Sequence, residues 1–284
     1  MKRLTLYAAT CAVLLAGCSQ PSYSQVSAGG EEFSAIALPA LPEKLDFAGE
    51  EVPLEYFDVR EALQRELLVT SYMHSGTFRT LLNMKRYFSV IEPILERNGI
   101  PDDFKYLCMA ESALNPETVS PAGAAGLWQF MPKTGREYGL AVGSQVDERY
   151  DIEKSTEAAC AYLRDAYERF GSWTLAAAAY NAGNAGVSRR MEIQGTENYY
   201  DTFLPQETMR YLYRILSLKI VGSDPEAYGF RLRGDDYYGP LDDYRTNYKM
   251  LRLLNPWMRD YVYDNKEGRI LKVKVPGRNF RAAR

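Results

Sequence analysis

The chain has 284 residues, 46% hydrophobic and 25% charged, with a formal charge of -3, a balance that describes a globular protein of one or two domains with a sizeable core. It carries no cluster of Lys and Arg suited to a phosphate backbone, so no nucleic-acid partner is expected. A single histidine, His74, excludes a multi-histidine metal site and leaves Ser-His-Asp or Cys-His catalysis one improbable candidate; neither GxGxxG nor a P-loop appears, so no cofactor is expected.

The start, "MKRLTLYAATCAVLLAGCSQ", joins a basic end to a short apolar run and small residues, which is secretory signal architecture. "LAGC" resembles the bacterial lipobox, so residues 1–18 read as a lipoprotein signal ending at the lipidation site Cys18; the bland alternative is a plain signal peptide with a chance cysteine. Residues 19–55, rich in Ser, Gly, Pro and Ala, read as a flexible tether.

From Tyr56 to Asn98, apolar residues at three- and four-residue spacing predict two helices or more, stopped by Gly99 and Pro101. Residues 102–114, "DDFKYLCMAESAL", predict a short helix ended by Asn115-Pro116. Phe104, Leu107, Cys108 and Glu111 share one face of it, which puts a carboxylate among apolar side chains. After a small-residue loop, "LWQFMPKTGREYGL" predicts a helix, "STEAACAYLRDAYERF" an amphipathic helix capped by Ser155, "WTLAAAAYNAG" a central one stopped by Asn181 and Gly183, and "PQETMRYLYRILSLKIV" one more. Residues 223–284 change composition and read as a small appendage without a LysM repeat, with a short strand suggested by Ile270, Leu271, Val273 and Val275. Cys108 and Cys160, both on apolar faces, either pair in an exported domain or stay as buried thiols.

A carboxyl on an apolar face loses hydration when charged, so its pKa rises and it holds a proton near neutrality, as a general acid must. Cleaving a glycosidic bond needs such an acid and ordinarily a second carboxylate. None stands out, because Asp147, Asp151 and Glu153 read as a solvated loop and helix start.

"ESALNP", "SPAGAAGLWQFMP", "AYNAG" and "LPQETMRYL", in this order, resemble the lysozyme-like lytic transglycosylases over residues 56–222. The resemblance implies a mainly helical, goose-type or soluble lytic transglycosylase-like domain. It implies cleavage of the β-1,4 bond between N-acetylmuramic acid and N-acetylglucosamine of peptidoglycan without water. Glu111 matches the sole catalytic acid and base, the C6 hydroxyl of the muramoyl residue acts as nucleophile, and a 1,6-anhydro end results, with the proximity advantage of an intramolecular attack. Ser120 matches a serine near that carboxyl, Gln129 and Met131 line sugar subsites, Tyr180 hydrogen-bonds the carboxyl, and Asn181, Glu207 and Tyr211 complete the motifs. Trp128 reads as packing, and Tyr199, Tyr200 and Phe203 as a mixture of core and sugar contacts. The implied partners are peptidoglycan strands and, through the lipid on Cys18, a membrane, with outer membrane facing the periplasm suggested by Ser19; cell-wall partner proteins are unspecified. The competing readings are a goose-type lysozyme that uses water and an inactive wall-binding lipoprotein.

Overall fold

A computed structural model describes residues 37–239, 248–262 and 270–275. The signal segment and Cys18 lie outside the described residues. The described part is mainly helical, as the periodicity predicts.

The stretch expected to be the end of a tether is packed. Its strands β1 (Asp46–Phe47) and β2 (Glu50–Glu51) pair antiparallel, Asp46 opposite Glu51, and Phe47, Val52 and Leu54 are buried. The carboxylate of Glu50 accepts hydrogen bonds from the main-chain N–H groups of Trp173 and Thr174 and from the Ser172 hydroxyl, which satisfies donors that a helix start leaves without intrahelical partners. Asp103 accepts from the Ala48 N–H, and Lys219 donates to Asp103 and to the Asp46 carbonyl. The apolar residues here are scattered among small and polar ones without periodicity, so composition alone suggests a tether.

Helices α1 (Phe57–Tyr72) and α2 (His74–Arg97) follow with a single break at Met73, and α2 runs through Pro93. His74 opens α2 with its ring edge-on to Tyr72 and Phe230, a helix-end role. Next come α3 (Phe104–Ser112), a short α4 (Pro132–Glu137), α5 (Ile152–Phe170), α6 (Trp173–Ala182), α7 (Asn184–Gln194) and α8 (Gln206–Ser223). The cap of α5 is Asp151, whose side chain accepts from the Lys154 N–H; Ser155, expected as the cap, lies one turn inside and donates to the Asp151 carbonyl. Residues 127–129, predicted helical, form a turn ahead of α4, and Phe130 is bridged antiparallel to Ala125. The alanines of α6, Ala176 to Ala179, are fully buried, and α6 packs against α5, α7 and α8, while α8 also packs on α1 and α3. Small side chains let these backbones approach closely, so α6 is central as expected.

Helix α9 (Tyr248–Leu254) and the residues after it pack back onto the domain. The Asp147 N–H donates to the Trp257 carbonyl and the Arg259 N–H to the Gln145 carbonyl, with Val146 bridged antiparallel to Met258. Residues 270–275, where alternation predicts a strand, carry none, and Ile270 is exposed. Their anchor is Asn255, fully buried, which exchanges hydrogen bonds with the main chain of Lys274.

Candidate active site

Glu111 sits in the last turn of α3, on the face whose other members, Phe104, Leu107 and Cys108, are fully buried. The helix ends at once, because Ala113 (φ 51°) and Leu114 (φ 54°) turn left-handed in succession, a conformation that L residues adopt uncommonly. The helix therefore stops ahead of Asn115-Pro116, and Glu111 is left half-buried at its end.

A folded loop follows. The Gly126 N–H donates to the Thr118 carbonyl, the Ser120 N–H to the Ala124 carbonyl and the Ala125 N–H to the Phe130 carbonyl. Gln129, itself at φ 48°, donates through Nε2 to the carbonyls of Thr118 and Gly126, at 3.0 and 2.8 Å. Gly126 lies at φ +84°, and a Cβ there would stand 1.9 Å from the Arg149 carbonyl oxygen, so only glycine fits. Behind the loop Arg149, buried and paired with Asp147 at 2.7 Å, donates to the carbonyls of Gly123 and Phe130. Asp147 thus belongs to a buried ionic cluster with Glu148 and Arg149 and not to a solvated loop; buried charges of this kind persist where they are paired and hydrogen-bonded.

The opposite side is α8. Glu207, Tyr211 and Arg214 fall at i, i+4 and i+7 on it, one face of a helix. The Tyr211 hydroxyl donates a hydrogen bond to Glu111 Oε1. Burial pushes the Glu111 carboxyl up to about 7 from an ordinary 4.5; the Tyr211 hydrogen bond and the Arg214 charge pull against that, and the Glu207 charge adds to it. Tyr211 and Tyr180 are held well above the usual phenol range, first by burial and then by the Glu111 charge, so both remain protonated.

Tyr180, expected to hold the carboxyl, donates instead to the Trp128 carbonyl at 2.8 Å; the tyrosine on Glu111 is Tyr211. Tyr180 joins Trp128, Phe130 and Tyr162 in an aromatic cluster that backs the loop. Trp128 is fully buried with Nε1 donating to Thr156 Oγ1, the packing role expected of it. Asn181 accepts from the Thr208 hydroxyl at 2.8 Å and so joins the end of α6 to the start of α8. Ser120 Oγ accepts from the Ala124 N–H at 3.0 Å, shaping its own loop, and Met131 is exposed at the loop's end. Glu207 is exposed in the first turn of α8. Tyr199 is buried with its hydroxyl on the main chain of α8, whereas Phe203 is exposed.

Cys108 and Cys160 are both free, buried thiols, so the pairing alternative gives way. Burial, with Glu111 next, raises the Cys108 thiol well above its usual range, and Cys160 is pushed to about 12. Two contributors escaped the sequence reading. Arg214 has a legible signal in its spacing from Tyr211; Arg149 has none, since burial of "DER" depends on the loops folded over it. No group of three or more His, Cys, Asp or Glu among the described residues is arranged to hold a metal ion.

Residues 89–203 match the Transglycosylase SLT domain family, and residues 242–279 match the soluble lytic transglycosylase C-terminal LysM-like domain, a likeness the composition of that segment did not reveal. The chain is 33% identical over 198 residues to membrane-bound lytic murein transglycosylase D of Escherichia coli, a match covering 67% of this chain and 43% of that protein. It is 37% identical over 82 residues to the soluble lytic murein transglycosylase of the same organism, covering 27% of this chain and 13% of the relative. Among solved structures, lytic transglycosylase Slt of Pseudomonas aeruginosa aligns with a TM-score of 0.43 at 21% identity, over 63% of this chain and 33% of that one. The chain thus spans less than half the length of each of these proteins.

Proposed function

The chain carries a domain of the lytic transglycosylase family, and from that premise we propose that the protein cleaves the glycan strands of peptidoglycan at the β-1,4 bond between N-acetylmuramic acid and N-acetylglucosamine, without water. One observation carries the reading: a half-buried carboxyl on an apolar helix face, gripped by Tyr211 and raised to about 7. Such a group gives up a proton and takes one back near neutral pH.

In the first step Glu111 protonates the glycosidic oxygen and the bond to the anomeric carbon breaks. The resulting carboxylate then accepts the proton of the muramoyl C6 hydroxyl as that oxygen bonds to the anomeric carbon, closing a 1,6-anhydro ring. The proton count balances on Glu111 alone, and the nucleophile is already tethered to the reacting centre. Tyr211 orients the carboxyl, and Glu207, whose charge reaches Glu111, supports the positive charge on the sugar. The loop carrying Ser120, Gln129 and Met131 borders the sugar subsites beside Glu111.

The influence of Glu207 also favours a second reading, in which it activates a water and the enzyme is a goose-type hydrolase. Mass spectrometry of muropeptides released from purified peptidoglycan separates the two. Anhydro ends, lighter by one water, are the expected product, and reducing ends would replace the first reading with the second.

The same reading places the protein in the cell envelope, with Cys18 lipidated and the anchor in the outer membrane facing the periplasm. Several acyl chains on one cysteine give stable anchoring where a single chain is marginal. Labelled palmitate incorporated by the full chain, and lost in Cys18→Ser, is the expected outcome; equal labelling of the two would remove the anchor from the account.

A further inference from the structure

We propose that Arg259, in the segment matching the LysM-like domain, is a positioning residue for the cleavage site: seated on Tyr150, it holds Glu117 and with it the loop that follows Glu111. The inference rests on the reaction proposed above.

Glu117 lies between Glu111 and Ser120, and its N–H is held by Asn115 Oδ1 at 3.2 Å. Arg259 Nη1 donates to Glu117 Oε2 at 3.1 Å, and Arg252 approaches the same oxygen at 4.0 Å. An exposed ion pair alone would fix little. Arg259, however, has its own seat: the guanidinium stands 3.9 Å over the ring of buried Tyr150, Nη1 also reaches the Pro256 carbonyl, and the main-chain N–H of Arg259 donates to the Gln145 carbonyl. Its side chain is 26% exposed against 49% for Glu117, so the arginine is the fixed member of the pair and the loop the member being held.

Hydrogen bonds tie the loop to Glu117, because Thr118, next to it, accepts from both the Gly126 N–H and the Gln129 amide. Its far side is already gripped by Arg149, whose partner Asp147 donates its N–H to the Trp257 carbonyl. Two arginines, one from each matched region, therefore clamp this wall from a shared base at residues 145–150. The second region completes the site of the first.

The test uses the mature chain, soluble uncross-linked peptidoglycan strands and amide hydrogen exchange. In Arg259→Ala we expect KM to rise and kcat/KM to fall about tenfold, about the size of losing one partly buried cation–π contact together with a surface charge contact, with the alkaline pH limb unmoved. Arg259→Lys, which keeps the charge, recovers part of the loss. Glu117→Ala falls to a similar degree, and the double variant falls no further than either single one. Exchange at the Ser120, Gly123 and Gly126 amides quickens about tenfold in Arg259→Ala while α8 is unchanged. Unaltered exchange and kcat/KM, or a double loss equal to the product of the single losses, would overturn the proposal. Should Arg259→Ala not fold, Arg259→Lys with Glu117→Ala carries the same comparison. A wild type that releases no product but shows the exchange change in its variant would refute the reaction and leave the coupling standing.

Discussion

The two walls around Glu111 differ in kind. Helix α8 reaches the carboxyl directly, through the Tyr211 hydrogen bond and the charges of Arg214 and Glu207. The loop from Asn115 to Phe130 turns its polar atoms inward: Ser120 Oγ accepts from Ala124, Gln129 donates to Thr118 and Gly126, and Arg149 donates to Gly123 and Phe130. The helix tunes a proton, whereas the loop holds a shape. Substitutions on α8 should therefore move the pH dependence, and those in the loop should change binding and stability at constant pH dependence.

The largest effect falls between the walls. Glu111→Gln cannot donate a proton, and a loss of about a thousandfold in kcat is expected with the fold retained, read as product release beside circular dichroism. On the loop wall, Gly126→Ala forces a Cβ against the Arg149 carbonyl at a positive φ. We expect a loss of about 3 kcal/mol in denaturant unfolding and a raised KM without a shift in the pH limb; a moved limb would erase the distinction between the walls.

Glu111 also reports on stability. Its folded pKa lies above its unfolded value, so the folded state favours the protonated form, and stability falls as pH rises from about 4.5 through about 7. Glu111→Gln escapes that loss and should exceed the wild type by about 3 kcal/mol at pH 8, with little difference at pH 4, measured by denaturant melts.

On the helix wall, Tyr211→Phe removes a hydrogen bond that lowers the Glu111 pKa. The alkaline limb of kcat/KM should move up by about half a unit or more, with kcat down about tenfold from the freed carboxyl. Arg214→Gln should move the same limb upward by a few tenths of a unit, about the worth of one partly screened charge. A downward move in either variant would reverse the sign assigned to α8.

How much of this was legible before the structure depends on the range of the interactions. The helical periods of α1, α2, α5, α6 and α8 are local, and so is the placement of Glu111 among Phe104, Leu107 and Cys108. The partner of that carboxyl is not local. Tyr180 and Tyr211 are both tyrosines in matching motifs, and only the packing of α8 on α3 selects Tyr211. The hairpin at Asp46–Glu51 and the Asp147–Arg149 pair were missed for a related reason: each is built by contacts to distant segments, Glu50 to Ser172–Thr174 and Arg149 to Gly123 and Phe130. Alternation over 270–275 misled because those residues find no strand to pair with among the described ones.

The measurement that bears most directly on the central claim is a carbon-13 titration of the Glu111 side-chain carboxyl by NMR, assigned by its absence in Glu111→Gln. A midpoint near 7 is the predicted result, a proton held where cleavage needs it. A midpoint at the ordinary 4.5 would leave the site without its acid and contradict the account.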